Sequence, residues 1–291
     1  MAVSLSTWLF DHLSEKEMAR AVSRLDFENI EISGEQWQKK WKWERLVRET
    51  GRRRIRIRSV HCGHHEVSEE EWTERRFAKY HRDLYRMIGQ RAPADAAPER
   101  VIVVEHLPGD PGKAERWLAI LRELANENGL CLSVENVPNT AFEKSTDGRR
   151  WLGNGIGFTF DPAHAAYLNL DPLGFGPHLD HLVNVHVYDV DDLIGLGLGD
   201  WLPIGLGKIP WPKLFRAFRR ARYGGPFTIE LTASRFRHVL RLYERMRCSL
   251  KKMKQYQHLF SGGAVVEDVE NLVAQISKNA VMRNARFFKK S

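Results

Sequence analysis

Four acidic or histidine side chains stand at or next to the ends of short segments in which apolar and polar residues alternate. They are Glu135, Asp161, His186 and Glu230. Each shares one face of its segment with small or polar residues, as Glu135 does with Ser133, whereas the opposite face is apolar. A single acid at such a position is more often a helix cap or an ion-pair partner. Four in matching positions predict a shared site.

Carboxylate and imidazole groups of this kind suit a divalent cation such as Mn²⁺, Mg²⁺, Fe²⁺ or Zn²⁺ rather than a metal selected by thiolates. Such an ion can bind two adjacent substrate oxygens, polarise a carbonyl group and stabilise an enediolate. Carboxylates beside the ion can move a proton on or off the neighbouring carbon. We therefore expect a metal-dependent enzyme, with Mn²⁺ favoured as the cofactor.

Three further histidines are candidates for a second metal site or for substrate binding. His61 and His106 each end a predicted strand, and His164 follows Asp161 by three residues. Glu105 precedes His106, and the uniformly apolar run before the two does not indicate which side chain faces the site. The sequence is compatible with two metals, and also with one metal and histidines that bind substrate hydroxyl groups.

These residues require a fold that brings many strand ends together. Eight strand-like segments alternate with amphipathic helical patterns, at 3–8, 28–32, 55–61, 101–106, 130–135, 156–161, 182–187 and 226–231. Helix signals support the alternation: Asp110 and Pro111 predict a helix start, and Gly129 predicts its end. The pattern predicts an α/β fold, a closed (β/α)₈ TIM barrel, with a doubly wound sheet as the alternative. The carboxyl ends of barrel strands carry the active site.

The net charge of +8 comes from the C-terminal segment. Residues 232–291 contain 13 Lys and Arg but only four acids, which leaves residues 1–231 with a net charge of −1. We therefore divide the chain into a barrel domain, 1–231, and a basic helical C-terminal extension, 232–291. The nearly neutral barrel favours a small sugar-like substrate, whereas the extension could bind a nucleic acid or a second subunit.

Composition predicts a globular cytoplasmic protein. The 291 residues are 43% hydrophobic and 28% charged, which excludes a disordered or fibrous chain. The three cysteines are too few and too scattered for a disulfide framework or a thiolate zinc site, which favours a reducing compartment. The first residues lack the basic region of a signal peptide, and no apolar run approaches the ~18 residues of a membrane span.

At its strand-like segments the sequence resembles the xylose isomerase-like TIM barrel superfamily, which contains sugar phosphate isomerases and epimerases together with nucleases of the endonuclease IV type. The resemblance covers about residues 3–231. It rests on the order and spacing of SVH, VENVPN, FDPAHA, NVHVYD, PIGLGKIPW and GPFTIEL.

The resemblance implies roles for the candidate residues. By analogy with the epimerases, one metal is bound by Glu135, Asp161, His186 and Glu230. Glu135 and Glu230 then lie on opposite sides of the substrate carbon and exchange its proton, and His164 contacts a substrate oxygen. By analogy with the nucleases, His61 and His106 are further metal ligands and His164 serves a third metal.

Two departures from these patterns bear on the reaction. Trp201 stands where the nucleases have the histidine of an Asp-x-His pair, and Asp200 is one position away from the aspartate, so a third metal is not expected. Asp192 stands where some sugar epimerases have an arginine. We expect a metal-dependent sugar, sugar-acid or sugar-phosphate isomerase or epimerase acting through a metal-stabilised enediolate. The alternatives are an endonuclease IV-like phosphodiesterase and a lyase or dehydratase of the same barrel family.

Overall fold

The computed structural model describes the chain in eight stretches between residues 2 and 230: 2–10, 13–24, 27–33, 40–62, 73–91, 100–190, 204–205 and 207–230. The predicted extension 232–291 lies outside the described residues, as do Asp192, Asp200 and Trp201. Among the helices that are described, none is both long and apolar enough to cross a membrane.

Eight parallel strands close into a barrel in chain order, with β8 pairing back onto β1. The strands are β1 (Ala2–Ser6), β2 (Asn29–Ile32), β3 (Arg56–His61), β4 (Ile102–Glu105), β5 (Cys131–Glu135), β6 (Gly157–Phe160), β7 (Leu182–Val187) and β8 (Pro226–Ile229). Strands β2 to β8 each lie within a predicted segment, whereas β1 begins one residue before the predicted segment 3–8, whose last two residues start a 3-10 helix. The predicted TIM barrel is therefore confirmed.

Helices follow the strands along the chain. Those described are α1 (Glu15–Arg24), α2 (Lys40–Gly51), α3 (Glu74–Arg91), α4 (Pro111–Glu127), α5 (Gly148–Trp151), α6 (Pro162–Tyr167) and α7 (Trp211–Arg220), with 3-10 helices at Thr7–Phe10, Ser145–Asp147 and Pro172–His181. The helix α4 begins as predicted, because Asp110 accepts a hydrogen bond of 2.6 Å from the amide of Lys113. Gly129 follows its end with a φ of 65°, a conformation that favours glycine.

The barrel interior beneath the strand ends is lined by small and polar side chains. The hydroxyl oxygens of Ser133 and Thr159 lie 2.6 Å apart, and Thr228 donates to Asn184 Oδ1 at 2.9 Å. Asn184 Nδ2 donates to Glu31 Oε2 at 3.1 Å, which joins β7 to β2 across the barrel. TIM barrels usually fill this space with Val, Ile and Leu. Here a hydrogen-bonded polar layer supports the strand ends.

Candidate active site

Glu135, at the carboxyl end of β5, is the centre of the candidate site. Its Oε2 lies 3.0 Å from His61 Nε2 and 3.0 Å from His106 Nε2. Its Oε1 lies 3.1 Å from His186 Nδ1 and 3.3 Å from His164 Nδ1. Four predicted histidines, carried by or next to different elements, therefore converge on one buried carboxylate.

His186 links Glu135 to Glu230, which follows β8. His186 Nδ1 lies 3.1 Å from Glu135 Oε1 and 3.2 Å from Glu230 Oε2, so one nitrogen faces both carboxylates. The other nitrogen, Nε2, lies 3.3 Å from Glu31 Oε2. All four side chains are buried. The arrangement can hold a cation or a proton between the two glutamates.

Asp161 follows β6 and caps α6. Its Oδ1 accepts hydrogen bonds from the amides of Ala163 at 2.7 Å and His164 at 3.2 Å. Its Oδ2 is buried without a hydrogen bond and lies 3.5 Å from His164 Nδ1. A buried carboxylate oxygen without a hydrogen bond costs free energy unless a cation binds it. Asp161 Oδ2 therefore fits the role of a metal ligand.

Three groups of side chains bring three ligand atoms within 4.8 Å of one another; they are His61, His106 and Glu135; His61, His186 and Glu230; and Glu135, Asp161 and His164. Every residue predicted as a metal ligand or a substrate-binding histidine belongs to at least one group. The four residues predicted to bind a single ion are divided between the second and third groups. Their joint binding of that ion stays a prediction.

The two glutamates that face His186 Nδ1 have pKa values shifted in opposite directions. Burial opposes ionisation of Glu135, but the charge of His186 and hydrogen bonds from the surrounding histidines outweigh it, so the pKa of Glu135 lies well below its usual range. Burial raises the pKa of Glu230 to about 7, because His186 and His61 offset it only in part while Glu135 and Glu31 add to it. Environments that separate the pKa values of two neighbouring carboxyl groups in this way are typical of acid–base pairs.

Burial favours the neutral form of each histidine in the site, whereas the neighbouring carboxylates favour the charged form. The balance between the two effects sets the direction of each pKa shift. Asp161 and Glu135 outweigh burial at His164 and raise its pKa to about 9. The surrounding glutamates likewise hold the pKa of His186 well above its usual range. Burial prevails at His106, whose pKa is lowered. His106 and His164 keep 14% and 17% of their side chains exposed, so the site opens to solvent beside them.

Glu105 is the last residue of β4 and His106 follows it; of the two, it is His106 that faces the site. Glu105 points away from Glu135 and accepts a hydrogen bond of 2.8 Å from Tyr85 Oη on α3. The outer layer between barrel and helix therefore contains a buried carboxylate of its own. The apolar sequence of β4 did not distinguish these two directions.

Two residues of the site were missed by sequence reasoning. Glu31 lies in the barrel interior beside His186, and the alternation of Asn29 and Glu31 with two isoleucines was the available signal. Asn136 follows Glu135, and its side chain is hydrogen-bonded to the backbone of Asp161. It lies in the VENVPN segment, and its residue type alone does not indicate a role.

Asp189 organises the loop that follows β7. Its buried carboxylate accepts hydrogen bonds from the amides of Val190 at 3.0 Å, Gly205 at 2.7 Å and Ile209 at 3.0 Å. Both described ends of the loop are therefore joined through one side chain, close to the strand that carries His186. These loop amides are satisfied from within the chain.

Residues 19–253 match the family described as xylose isomerase-like TIM barrel. No curated protein matches the sequence. Similar solved structures include 3-keto-D-glucoside 4-epimerase from E. coli, with a TM-score of 0.68 and 16% identity over 88% of this chain and 99% of that one. The probable 3-DHS dehydratase AsbF from Bacillus anthracis has a TM-score of 0.67 and 14% identity, over 87% and 99% of the two chains.

A third similar structure is a xylose isomerase-like TIM barrel protein from Mycobacterium smegmatis in complex with magnesium. Its TM-score is 0.65 and its identity 15%, over 89% of this chain and 97% of that one. At these identities, what the three structures share with this chain is the fold.

Proposed function

Since the chain belongs to the xylose isomerase-like TIM barrel family, we propose that it is a metal-dependent isomerase or epimerase of a sugar, sugar acid or sugar phosphate. The observation that carries the proposal is the placement of Glu135 and Glu230 within 3.1 and 3.2 Å of the same nitrogen of His186. The pKa of one carboxyl group lies well below its usual range and that of the other is about 7. Such a pair can take a proton from a carbon and return one.

A divalent cation would be held by Glu135, Asp161, His186 and Glu230. Three carboxylates and one imidazole suit Mn²⁺ in particular, and Mg²⁺, Fe²⁺ or Zn²⁺ as well. The buried Asp161 Oδ2, which makes no hydrogen bond, supports this assignment. A similar structure from Mycobacterium smegmatis contains magnesium. When bound, the ion would polarise a substrate carbonyl group and stabilise the negative charge that develops on its oxygen.

The residues of the chain supply the proton transfer. Ionised Glu135 takes the proton from the carbon next to the carbonyl group, and protonated Glu230 returns a proton from the other side, which inverts that carbon. His106 and His164 lie where the site opens and bind substrate hydroxyl groups, together with the more deeply buried His61. The nearly neutral barrel sequence fits a small polar substrate.

The proposal is tested by incubating the Mn²⁺-loaded protein in D₂O with a panel of ketoses, sugar acids and sugar phosphates. NMR then detects a new isomer and deuterium at the inverted carbon. We expect Glu135→Gln and Glu230→Gln each to lower turnover by on the order of 10²- to 10⁴-fold without unfolding the protein. Glu115→Gln, at an exposed ion pair with Arg150, is the control. Full activity in both site variants would contradict the assigned acid–base pair.

The overlap of the three ligand groups favours a second candidate, an endonuclease IV-like phosphodiesterase. Glu135 belongs to two groups, as a ligand that bridges two ions would. This function requires two or more metals per chain and salt-dependent binding of DNA that contains an abasic site. A single metal per chain and no affinity for such DNA at physiological salt would exclude it.

A lyase or dehydratase reaction is a variant of the first proposal, because it begins with the same removal of a proton next to a carbonyl group. One similar structure is that of a probable dehydratase. The NMR assay separates the two reactions, since a dehydratase yields an unsaturated product that has lost water. An isomerase yields a product of unchanged mass.

We place the protein in the cytoplasm, because its scattered cysteines favour a reducing compartment; cell fractionation tests this. The basic extension 232–291 is proposed to contact a second subunit, or else a nucleic acid. Deletion of residues 260–291, followed by light scattering with and without DNA, distinguishes these roles. A fall in the number of chains per particle indicates subunit contact. A loss of DNA affinity with an unchanged number of chains indicates that the extension binds nucleic acid.

A further inference from the structure

Glu31 is a buried carboxylate that the proposed proton transfer does not use. It lies on β2 and is fully buried. The register of β2 against β3 is irregular between Ile30 and Glu31, and this sets Glu31 beside Ser59. Its hydrogen bond with Asn184 on β7 shows that the side chain points into the barrel, below the strand-end ligands.

One oxygen of Glu31 is held by donors from two other strands. Ser59 Oγ on β3 donates to Oε2 at 2.8 Å, and Asn184 Nδ2 on β7 donates to it at 3.1 Å. The amide of Asn184 is itself fixed, because its Oδ1 accepts a hydrogen bond of 2.9 Å from Thr228 on β8. The position of Glu31 Oε2 is therefore determined by the polar layer of the barrel.

The same oxygen faces His186 from below. It lies 3.3 Å from Nε2, whereas Nδ1 of the ring faces the carboxylates of Glu135 and Glu230. When Nε2 carries a hydrogen donated to Glu31, the lone pair of Nδ1 points at the side where these carboxylates lie. Metal-binding histidines commonly donate their second N–H to a carboxylate in this way.

The other oxygen, Glu31 Oε1, is buried and makes no hydrogen bond. A buried carboxylate with one oxygen unsatisfied destabilises the folded state relative to a fully satisfied or apolar interior. Stability of the barrel therefore does not account for a glutamate at this position.

We propose that Glu31 is a positioning residue for His186. By accepting the Nε2 hydrogen it fixes the plane and the tautomer of the ring, so that Nδ1 is presented to a divalent cation between Glu135 and Glu230. The inference rests on the proposed metal site, but it concerns a residue that does not itself contact the ion or the substrate.

The first test is the affinity of metal-stripped protein for Mn²⁺ and Zn²⁺, measured by competition with a chromophoric chelator. Glu31→Gln keeps the shape of the side chain but removes its charge, and we expect the affinity to fall about 10- to 100-fold. Ser59→Ala removes one donor to Glu31, so a smaller loss is expected, and it serves as a second variant where Glu31→Gln does not fold. Glu105→Gln, at a buried glutamate that points away from the site, should bind like the wild type.

The second test is the NMR signal of the His186 Nε2 hydrogen in the Zn²⁺-loaded protein. In the wild type this hydrogen should resonate downfield and exchange slowly, because it is donated to Glu31. In Glu31→Ala the signal should vanish through exchange with solvent, and it should persist in Ser59→Ala. A role of Glu31 confined to folding would leave the signal unchanged.

Unchanged metal affinity in Glu31→Gln together with an unchanged signal in Glu31→Ala would overturn the proposal. A wild-type protein that binds neither Mn²⁺ nor Zn²⁺ would overturn the proposed function, and the inference with it. The wild-type titration therefore separates the two failures.

Discussion

The side chain of Asn136 makes two hydrogen bonds with the backbone of Asp161, one donated to its carbonyl oxygen and one accepted from its amide, each 2.8 Å long. Asn136 directly follows Glu135, so this pair of bonds sets the spacing between two candidate metal ligands at the carboxyl ends of neighbouring strands. The carbonyl oxygen of Asn136 also lies 2.9 Å from His164 Nδ1. Through its side chain and its backbone carbonyl oxygen, Asn136 thus relates Glu135, Asp161 and His164.

Asn136→Ala is expected to destabilise the protein and to weaken metal binding. The substitution leaves the buried amide and carbonyl group of Asp161 without their partners, which should lower the free energy of unfolding by about 2–4 kcal/mol. Urea unfolding of the metal-free protein measures the loss. Asn126→Ala, at an exposed position of α4, should change stability by less than about 0.5 kcal/mol. Equal stability of the two variants would contradict the role of Asn136.

Gly207→Ala should disrupt the loop held by Asp189. A Cβ atom at position 207 would overlap the carbonyl oxygen of Val190 and Oδ1 of Asp189. We expect a loss of about 2–4 kcal/mol in unfolding free energy, because the backbone and a buried carboxylate must both move. At Gly174 a Cβ atom would meet nothing within 4 Å, so Gly174→Ala is the matched control. Similar thermal unfolding midpoints for the two variants would show that the contacts of Asp189 with this loop do not stabilise the protein.

The metal-free protein should lose stability as the pH rises from about 6.5 to about 9. Asp161 and Glu135 outweigh burial and raise the pKa of His164 to about 9 in the folded state, whereas the unfolded value is about 6.5. The folded state therefore binds the proton more tightly, and the resulting stability is complete below pH 6.5 and lost through pH 9. The contribution is on the order of 1–3 kcal/mol.

Urea unfolding in the presence of a chelator measures this pH dependence. His164→Gln should reduce the slope without abolishing it, since His186 contributes in the same direction. His181→Gln, at an exposed histidine, is the control substitution. Stability that rises over the same interval would contradict the arrangement of charges around His164.

Metal binding should release protons. The glutamates around His186 hold its pKa well above the usual range, so the ring carries a proton on Nδ1 that a cation must displace. We expect about one proton released per ion near pH 7, and an affinity that rises with pH. Calorimetry in two buffers of different ionisation enthalpy measures the number. An enthalpy that does not depend on the buffer would place the ion outside these residues.

The fold and most of the site could be predicted because the relevant signals are local. Alternation with a period of two identifies each strand and its inward face, and closure of the barrel brings strand ends together. His61 and His106 therefore meet Glu135, because β3, β4 and β5 are neighbours in the sheet. Once the barrel fold is assumed, the order of the strands is enough to predict that these three side chains lie close together.

The remaining features depend on contacts between distant parts of the chain. The residues of β4 before Glu105 are apolar on both faces, so alternation does not indicate where Glu105 points. Its outward direction is established by the hydrogen bond from Tyr85 on α3. Glu31 has partners 28 to 155 residues away, and its alignment with Ser59 arises from an irregular register. Such a shift in register depends on how the strands pack, and no residue type near Ile30 predicts it.

The division of the chain at residue 231 stays a prediction. The family match extends to residue 253, beyond the predicted end of the barrel domain. Limited proteolysis followed by mass spectrometry would locate the boundary. A stable fragment that ends near 231 is expected if the basic segment is a separate extension.

The central claim is that Glu135, Asp161, His186 and Glu230 bind one catalytic cation. The most direct test is a crystal structure of the Mn²⁺-loaded protein with anomalous scattering recorded at the manganese edge. We predict a single anomalous peak within bonding distance of all four side chains, with His186 bound through Nδ1. Two or more peaks that include His61 and His106 as ligands, or a peak that leaves out Glu230, would contradict the claim.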